Sequence, residues 1–145
     1  FEGSTINTPS LLAVEDQLDA LGWADSIGGL DELSRRSSRN LRVVSEWVKS
    51  SDWIGFLTEN TKIRSSTSIC LKVIDTWFTG KPEEEQRDLI KVLTARLESE
   101  QVAYDIGGYR DAPPGLRIWG GATVETSDIE ALLPWLDWAY EGLKS

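Results

Sequence analysis

Arg110 and Arg117 stand seven positions apart on either side of Pro113-Pro114-Gly115, in a chain whose formal net charge is -9. A turn over Pro113 to Gly115 reverses the chain and is expected to bring Arg110 within a residue or two of facing Arg117. Like charges at that range repel. The pair makes sense if an anion sits between them, and the planar guanidinium fork suits a carboxylate or phosphate. The other informative stretch is Thr5-Ile6-Asn7-Thr8-Pro9-Ser10, close to the start. There Thr8 is expected to cap a helix whose first position is Pro9.

Composition narrows the chemistry these residues could serve. At 145 residues with 40% hydrophobic and 27% charged content, the chain has the size and make-up of one globular domain with one core. Its negative charge argues against nucleic acid or an anionic membrane as partner, since both call for a basic surface. No apolar run approaches the roughly 20 residues of a membrane span, and no signal-peptide pattern is visible. The single Cys70 excludes an internal disulfide and fits a reducing, cytoplasmic setting. Histidine is absent, which leaves no imidazole for a general base, a Ser-His triad or a zinc site, and no metal is expected. Methionine is also absent and the chain opens on Phe1, so it is expected to be a piece of a longer polypeptide.

The elements that must position the arginines can be read from periodicity. A helix is predicted from Pro9 to about Gly22, with Leu11, Val14, Leu18 and Leu21 on one face and Gly22 as the stop. A longer one runs from after Gly29 to about Lys49, with Leu30, Leu33, Leu41, Val44 and Val48 near one stripe and Trp47 beside it. Its other face carries Arg35, Arg36, Arg39 and Arg42, read as a solvated or interdomain face and not as a nucleic-acid patch. Strands are predicted at Trp53–Leu57, Thr67–Asp75, Val102–Ile106 and Leu116–Trp119. Lys72 is read as an edge lysine protecting its strand, since nothing nearby would activate it as a nucleophile. Pro82 followed by Glu83, Glu84 and Glu85 starts a helix buried through Leu89, Ile90, Leu93 and Leu97. A capping box at Ser127–Glu130 starts the last helix, which Pro134 should kink. The order αα-ββα-ββ-α implies an α+β fold, an antiparallel sheet covered by helices. The seven tryptophans are spread along the whole length, and are expected to divide between core and interface.

Asn7-Thr8-Pro9 after Gly3-Ser4-Thr5, in register with Gly108-x-Arg110 and Gly115-x-Arg117 about a hundred residues later, resembles the C-terminal part of the phosphoserine aminotransferases. These are pyridoxal-phosphate enzymes of the class V, fold-type I aminotransferases, and the resemblance covers essentially the whole chain. It implies the small C-terminal domain of that fold, residues 1–145, with residues 1–25 a helical segment linking from a large domain that precedes it. The reaction implied is reversible amino transfer between phosphoserine and 2-oxoglutarate, giving 3-phosphohydroxypyruvate and glutamate, as part of serine biosynthesis in a cytoplasmic homodimer.

By the same resemblance, Asn7 and Thr8 hydrogen-bond the phosphate of pyridoxal 5'-phosphate in the neighbouring subunit, a role that an amide and a hydroxyl at a helix N-terminus suit. Arg117 clamps the substrate α-carboxylate, and Arg110 receives the distal phosphate or carboxylate. Many family members carry histidine where this chain has Tyr109, which can donate a hydrogen bond to that distal group but brings no positive charge. The lysine that bonds the cofactor lies upstream in the family, and no lysine here has a matching context. The segment alone is expected to be inactive, with no catalytic residue of its own. Two alternatives stand beside this one: another class V aminotransferase acting on alanine or serine with glyoxylate, and a non-catalytic α+β module that binds small anions.

Overall fold

The computed structural model describes residues 7–8, 10–109 and 111–144. By its contacts the chain divides into two compact units, residues 1–35 and 36–145. Arg110 falls outside the described residues.

In the first unit, helix α1 spans Leu11–Ser26. Its cap is Ser10 and not the expected Thr8: the Ser10 Oγ accepts from the Ala13 amide at 3.4 Å, the third residue on, which is where a capping side chain must reach. Gly22 does not stop the helix. It sits in the interior, and the chain turns only where Gly28 (φ 114°) and Gly29 (φ 66°) adopt the left-handed backbone that glycine tolerates. The predicted apolar face is present and exposed. No residue of α1 is buried, and Leu11, Leu18 and Leu21 are all exposed.

Helix α2 spans Gly29–Ser50, close to its predicted bounds. In the second unit its Val44 is fully buried, with Leu41, Trp47 and Val48 packed partly against the core. Asn40 is also fully buried, at 0% exposure. Its Nδ2 lies within hydrogen-bonding distance of the carbonyls of Gly120, Gly121 and Val124 at 3.0–3.3 Å, and its Oδ1 accepts the Thr126 hydroxyl at 2.8 Å. One amide thereby ties α2 to the segment that leads into the last helix. Arg36, on the face read as solvated or interdomain, is pinned: its Nε donates to the Ala122 carbonyl at 2.6 Å and its guanidinium pairs with Glu125.

The sheet has three antiparallel strands in the order β1 (Ile54–Phe56), β2 (Ser68–Val73), β3 (Gly115–Trp119). Alternation along β2 sends Ile69, Leu71 and Val73 into the core and leaves Cys70 and Lys72 on the other face. Because β2 is the middle strand, Lys72 is not an edge lysine; its ammonium pairs with Glu59 at 3.0 Å. Val102–Ile106 does not form a strand. Gln101 (φ 59°) and Asp105 (φ 51°) take left-handed conformations that a β-ladder does not use, and only an isolated bridge, Gly107 to Leu116, follows.

A short helix α3 (Thr76–Thr79) precedes α4 (Glu83–Ser99), and α5 spans Thr126–Glu141. The glutamates after Pro82 occupy the first turn of α4 as predicted, and Ile90, Leu93 and Leu97 are its buried residues. The capping box does not form. Helix α5 begins at Thr126, with Ser127 already inside it, and Pro134 lies within the helix. Its Ile129, Leu133, Leu136 and Tyr140 are buried. Trp53 is the tryptophan deepest in the core; it stacks on Tyr140 with ring centroids 4.1 Å apart, while Trp119 and Trp138 remain exposed. No helix of the described residues is long and apolar enough to cross a membrane.

Candidate functional site

The site is built by β3 and the segment that folds back on it. The Gly108 amide donates to the Gly115 carbonyl at 3.1 Å, and the Arg117 amide to the Ile106 carbonyl at 2.8 Å. On its other side β3 pairs with β2, Cys70 opposite Arg117 and Leu71 opposite Leu116. Gly115 makes this double pairing possible, since a Cβ there would run into the Leu71 carbonyl oxygen. Arg117 is therefore fixed by backbone on both flanks before its side chain meets anything. The residue directly across the fold-back from it is Ile106.

The Arg117 side chain is 19% exposed. Its Nη2 donates to Asp105 Oδ2 at 3.2 Å, and its Cζ lies 4.5 Å from the centroid of the Tyr109 ring. The ring holds the flat guanidinium on one face, a geometry favourable to the cation. Its Nε is buried and has no partner among the described residues. The surrounding cleft, of about 390 Å³, is walled by Tyr104, Asp105, Arg117, Trp119 and Asp128 among others. A guanidinium held in this way has the geometry to take a carboxylate through two parallel N–H bonds.

The Tyr109 ring lies against Arg117, a contact the sequence did not anticipate, and the residue is itself 63% exposed. It also lines a neighbouring cleft of about 320 Å³ between the fold-back and α4, where Arg87, Lys91 and Thr94 form the opposite wall. Asn7 and Thr8 are exposed in the first unit, and the Thr8 amide donates to Asn7 Oδ1 at 2.8 Å. That bond occupies the oxygen of the Asn7 amide and leaves its Nδ2, a donor, for an anion. With the Thr8 hydroxyl it forms a donor set suited to phosphate.

Three functional-looking residues escaped the sequence reading. Asp105 falls within the strand predicted at Val102–Ile106, although Asp105-Ile106-Gly107-Gly108 carries the signature of a turn. Asp75 caps α3 through the Trp77 amide at 2.8 Å, accepts the Tyr140 hydroxyl at 2.9 Å and pairs with the Lys144 ammonium at 2.5 Å. The Lys144 hydrogen bond holds the Asp75 carboxyl below its ordinary range, against the opposing effect of burial. Burial, and then the bond to Asp75, push the Tyr140 phenol above its own. Asp137 accepts the indole N–H groups of Trp47 at 3.0 Å and Trp53 at 2.7 Å. These last two carboxylates tie the aromatic core together.

No protein-family model matches the chain. Two curated proteins do, the phosphoserine aminotransferases of Methanosarcina mazei and Methanosarcina barkeri, each 54% identical over 144 residues and covering 99% of this chain. The chain is similar to part of a phosphoserine aminotransferase. It spans 36% of the length of those two relatives. Among solved structures, the phosphoserine aminotransferase from Bacillus circulans subsp. alkalophilus superimposes with a TM-score of 0.76 at 18% identity, over 94% of this chain and 34% of that one. A second solved phosphoserine aminotransferase gives 0.75 at 17% identity, over 94% and 35%. At those identities the likeness shows a shared fold, and the α+β arrangement of an antiparallel sheet covered by helices is the one expected for this part of a fold-type I aminotransferase.

Proposed function

We propose that this chain is the C-terminal part of a phosphoserine aminotransferase and supplies the guanidinium that holds the substrate by its carboxylate. The reaction is reversible amino transfer between phosphoserine and 2-oxoglutarate, giving 3-phosphohydroxypyruvate and glutamate. The observation that carries the reading is Arg117: largely buried, fixed by backbone on both sides, backed by an aromatic ring, and paired among the described residues only with a carboxylate that is itself 93% exposed. A guanidinium kept that way is prepared for an incoming anion, because a single contact from an exposed carboxylate can be exchanged for a bidentate one.

Each residue has a task within this reading. Arg117 binds the α-carboxylate common to all four substrates and products, and so orients the reacting carbon. Arg110 meets the distal anion, phosphate in one half-reaction and carboxylate in the other. Tyr109 donates its hydroxyl toward that distal group while its ring supports Arg117. Asn7 and Thr8 hold the phosphate of pyridoxal 5'-phosphate in a neighbouring subunit, which makes the working form a homodimer, in the cytoplasm. When bound, that cofactor supplies the electron sink for the chemistry. The lysine that carries it belongs to the remainder of the longer polypeptide, so the chain by itself should bind but not turn over.

Arg117→Ala in the longer enzyme tests the proposal. Loss of charged hydrogen bonds worth about 1.5–3 kcal/mol should lower kcat/KM some 10- to 150-fold for phosphoserine and for glutamate alike. Unchanged kcat/KM for both would contradict it.

A further inference from the structure

Among the described residues, Asp105 is the one carboxylate that the Arg117 guanidinium touches, and its setting is unusual for a structural partner. It engages a single nitrogen, Nη2, at 3.2 Å. The neighbouring Nε stays buried without a partner among the described residues. The Asp105 side chain is 93% exposed while that of Arg117 is 19% exposed, so the pair joins a nearly buried cation to an anion that water surrounds. Its backbone takes φ 51°, a left-handed conformation uncommon for a side-chain-bearing residue but accessible to Asp and Asn. The next residue, Ile106, supplies the carbonyl that accepts the Arg117 amide, so backbone and side chain of this short segment both address the same arginine.

We propose that Asp105 is a place-holding carboxylate: it occupies the Arg117 guanidinium until a substrate carboxylate displaces it, and so sets the affinity of the site for carboxylate substrates. The proposal rests on the reading of Arg117 as the carboxylate clamp. An unaccompanied, largely buried cation would be costly, and a permanently buried partner would close the site. A single-point contact from an exposed oxygen avoids both. A substrate carboxylate binding through two parallel bonds replaces it with better geometry. The exchange has a consequence, because every carboxylate ligand must expel a like-charged group before it can bind. Asp105 is a positioning residue in this scheme and touches no reacting atom.

The test is Asp105→Asn in the full-length, cofactor-loaded enzyme. Asn keeps the shape and accepts the left-handed backbone, so the fold is preserved, and circular dichroism verifies it. With the competing charge gone, KM for phosphoserine and for glutamate should fall about two- to fivefold, the range expected for an exposed ion pair. The inhibition constant of glutarate, an unreactive dicarboxylate, should fall in the same ratio, with kcat moving less than KM. Asp105→Glu, which restores the charge, should return both constants toward wild type. Arg117→Ala is measured beside them. If it raises KM while Asp105→Asn leaves KM and the glutarate constant unchanged or higher, the place-holding role is overturned and the clamp stands. If Arg117→Ala has no effect, the clamp fails and the place-holder with it.

Discussion

Replacing Gly115 by alanine perturbs the site at its foundation. The new Cβ would collide with the Leu71 carbonyl oxygen and lie 3.3 Å from the Leu71 carbonyl carbon and 3.5 Å from Lys72 Cα, all backbone atoms of β2. Gly115 does not use a left-handed backbone, so the cost comes from this contact and not from conformation. Backbone cannot rotate away as a side chain would, so β3 must draw back from β2 at the point where Lys72 opposes Gly115. Overpacking of that kind costs about 1–3 kcal/mol, and weakening two hydrogen bonds adds about 1 kcal/mol each, for a total of about 3–5 kcal/mol. In a domain of this length that corresponds to a melting temperature lowered by about 10–16 °C. Thermal unfolding followed by far-ultraviolet circular dichroism reads it directly. Gly22→Ala, in the interior of α1 with nothing within 4 Å of the new methyl, serves as control and should leave helicity unchanged or higher. A Gly115→Ala protein melting within about 2 °C of wild type would refute the close-approach argument, since a displaced strand must cost more than that.

Asn40→Ala strands three carbonyls and the Thr126 hydroxyl, and should lower stability by about 2–5 kcal/mol in urea unfolding. Tyr140 ionises less readily in the folded chain than in the unfolded one, so its contribution is complete below about pH 10 and is lost as pH rises further. Tyr140→Phe should therefore flatten the alkaline fall in stability, as read from urea midpoints between about pH 8 and 11. Asp75 runs the other way: its lowered pKa gives a contribution present above about pH 4 and lost on acidification, so Asp75→Asn should be less sensitive to acid than wild type.

The helical half of the fold was the more legible. Long amphipathic runs fix α2, α4 and α5 because an error of one residue would turn Val44, Leu93 or Leu136 out of the core. Caps and short strands were less legible because tertiary partners decide them. Thr126 gives its hydroxyl to a buried amide on α2, which no local rule anticipates, and the Ser127 capping box gives way. Val102–Ile106 has the composition of a strand, but the chain leaves α4 through two left-handed residues and finds only one bridge. Within the site, the sequence singled out Arg117 and Tyr109 but did not anticipate that the ring of one lies against the guanidinium of the other. It did not point to Asp105, whose importance depends on the fold-back bringing it 3.2 Å from an arginine twelve positions away.

The most direct measurement is a crystal structure of the longer enzyme with phosphoserine or a dicarboxylate bound. A substrate carboxylate is expected within about 3 Å of the Arg117 guanidinium nitrogens, in place of Asp105. A carboxylate bound elsewhere, with Arg117 still paired to Asp105, would contradict it.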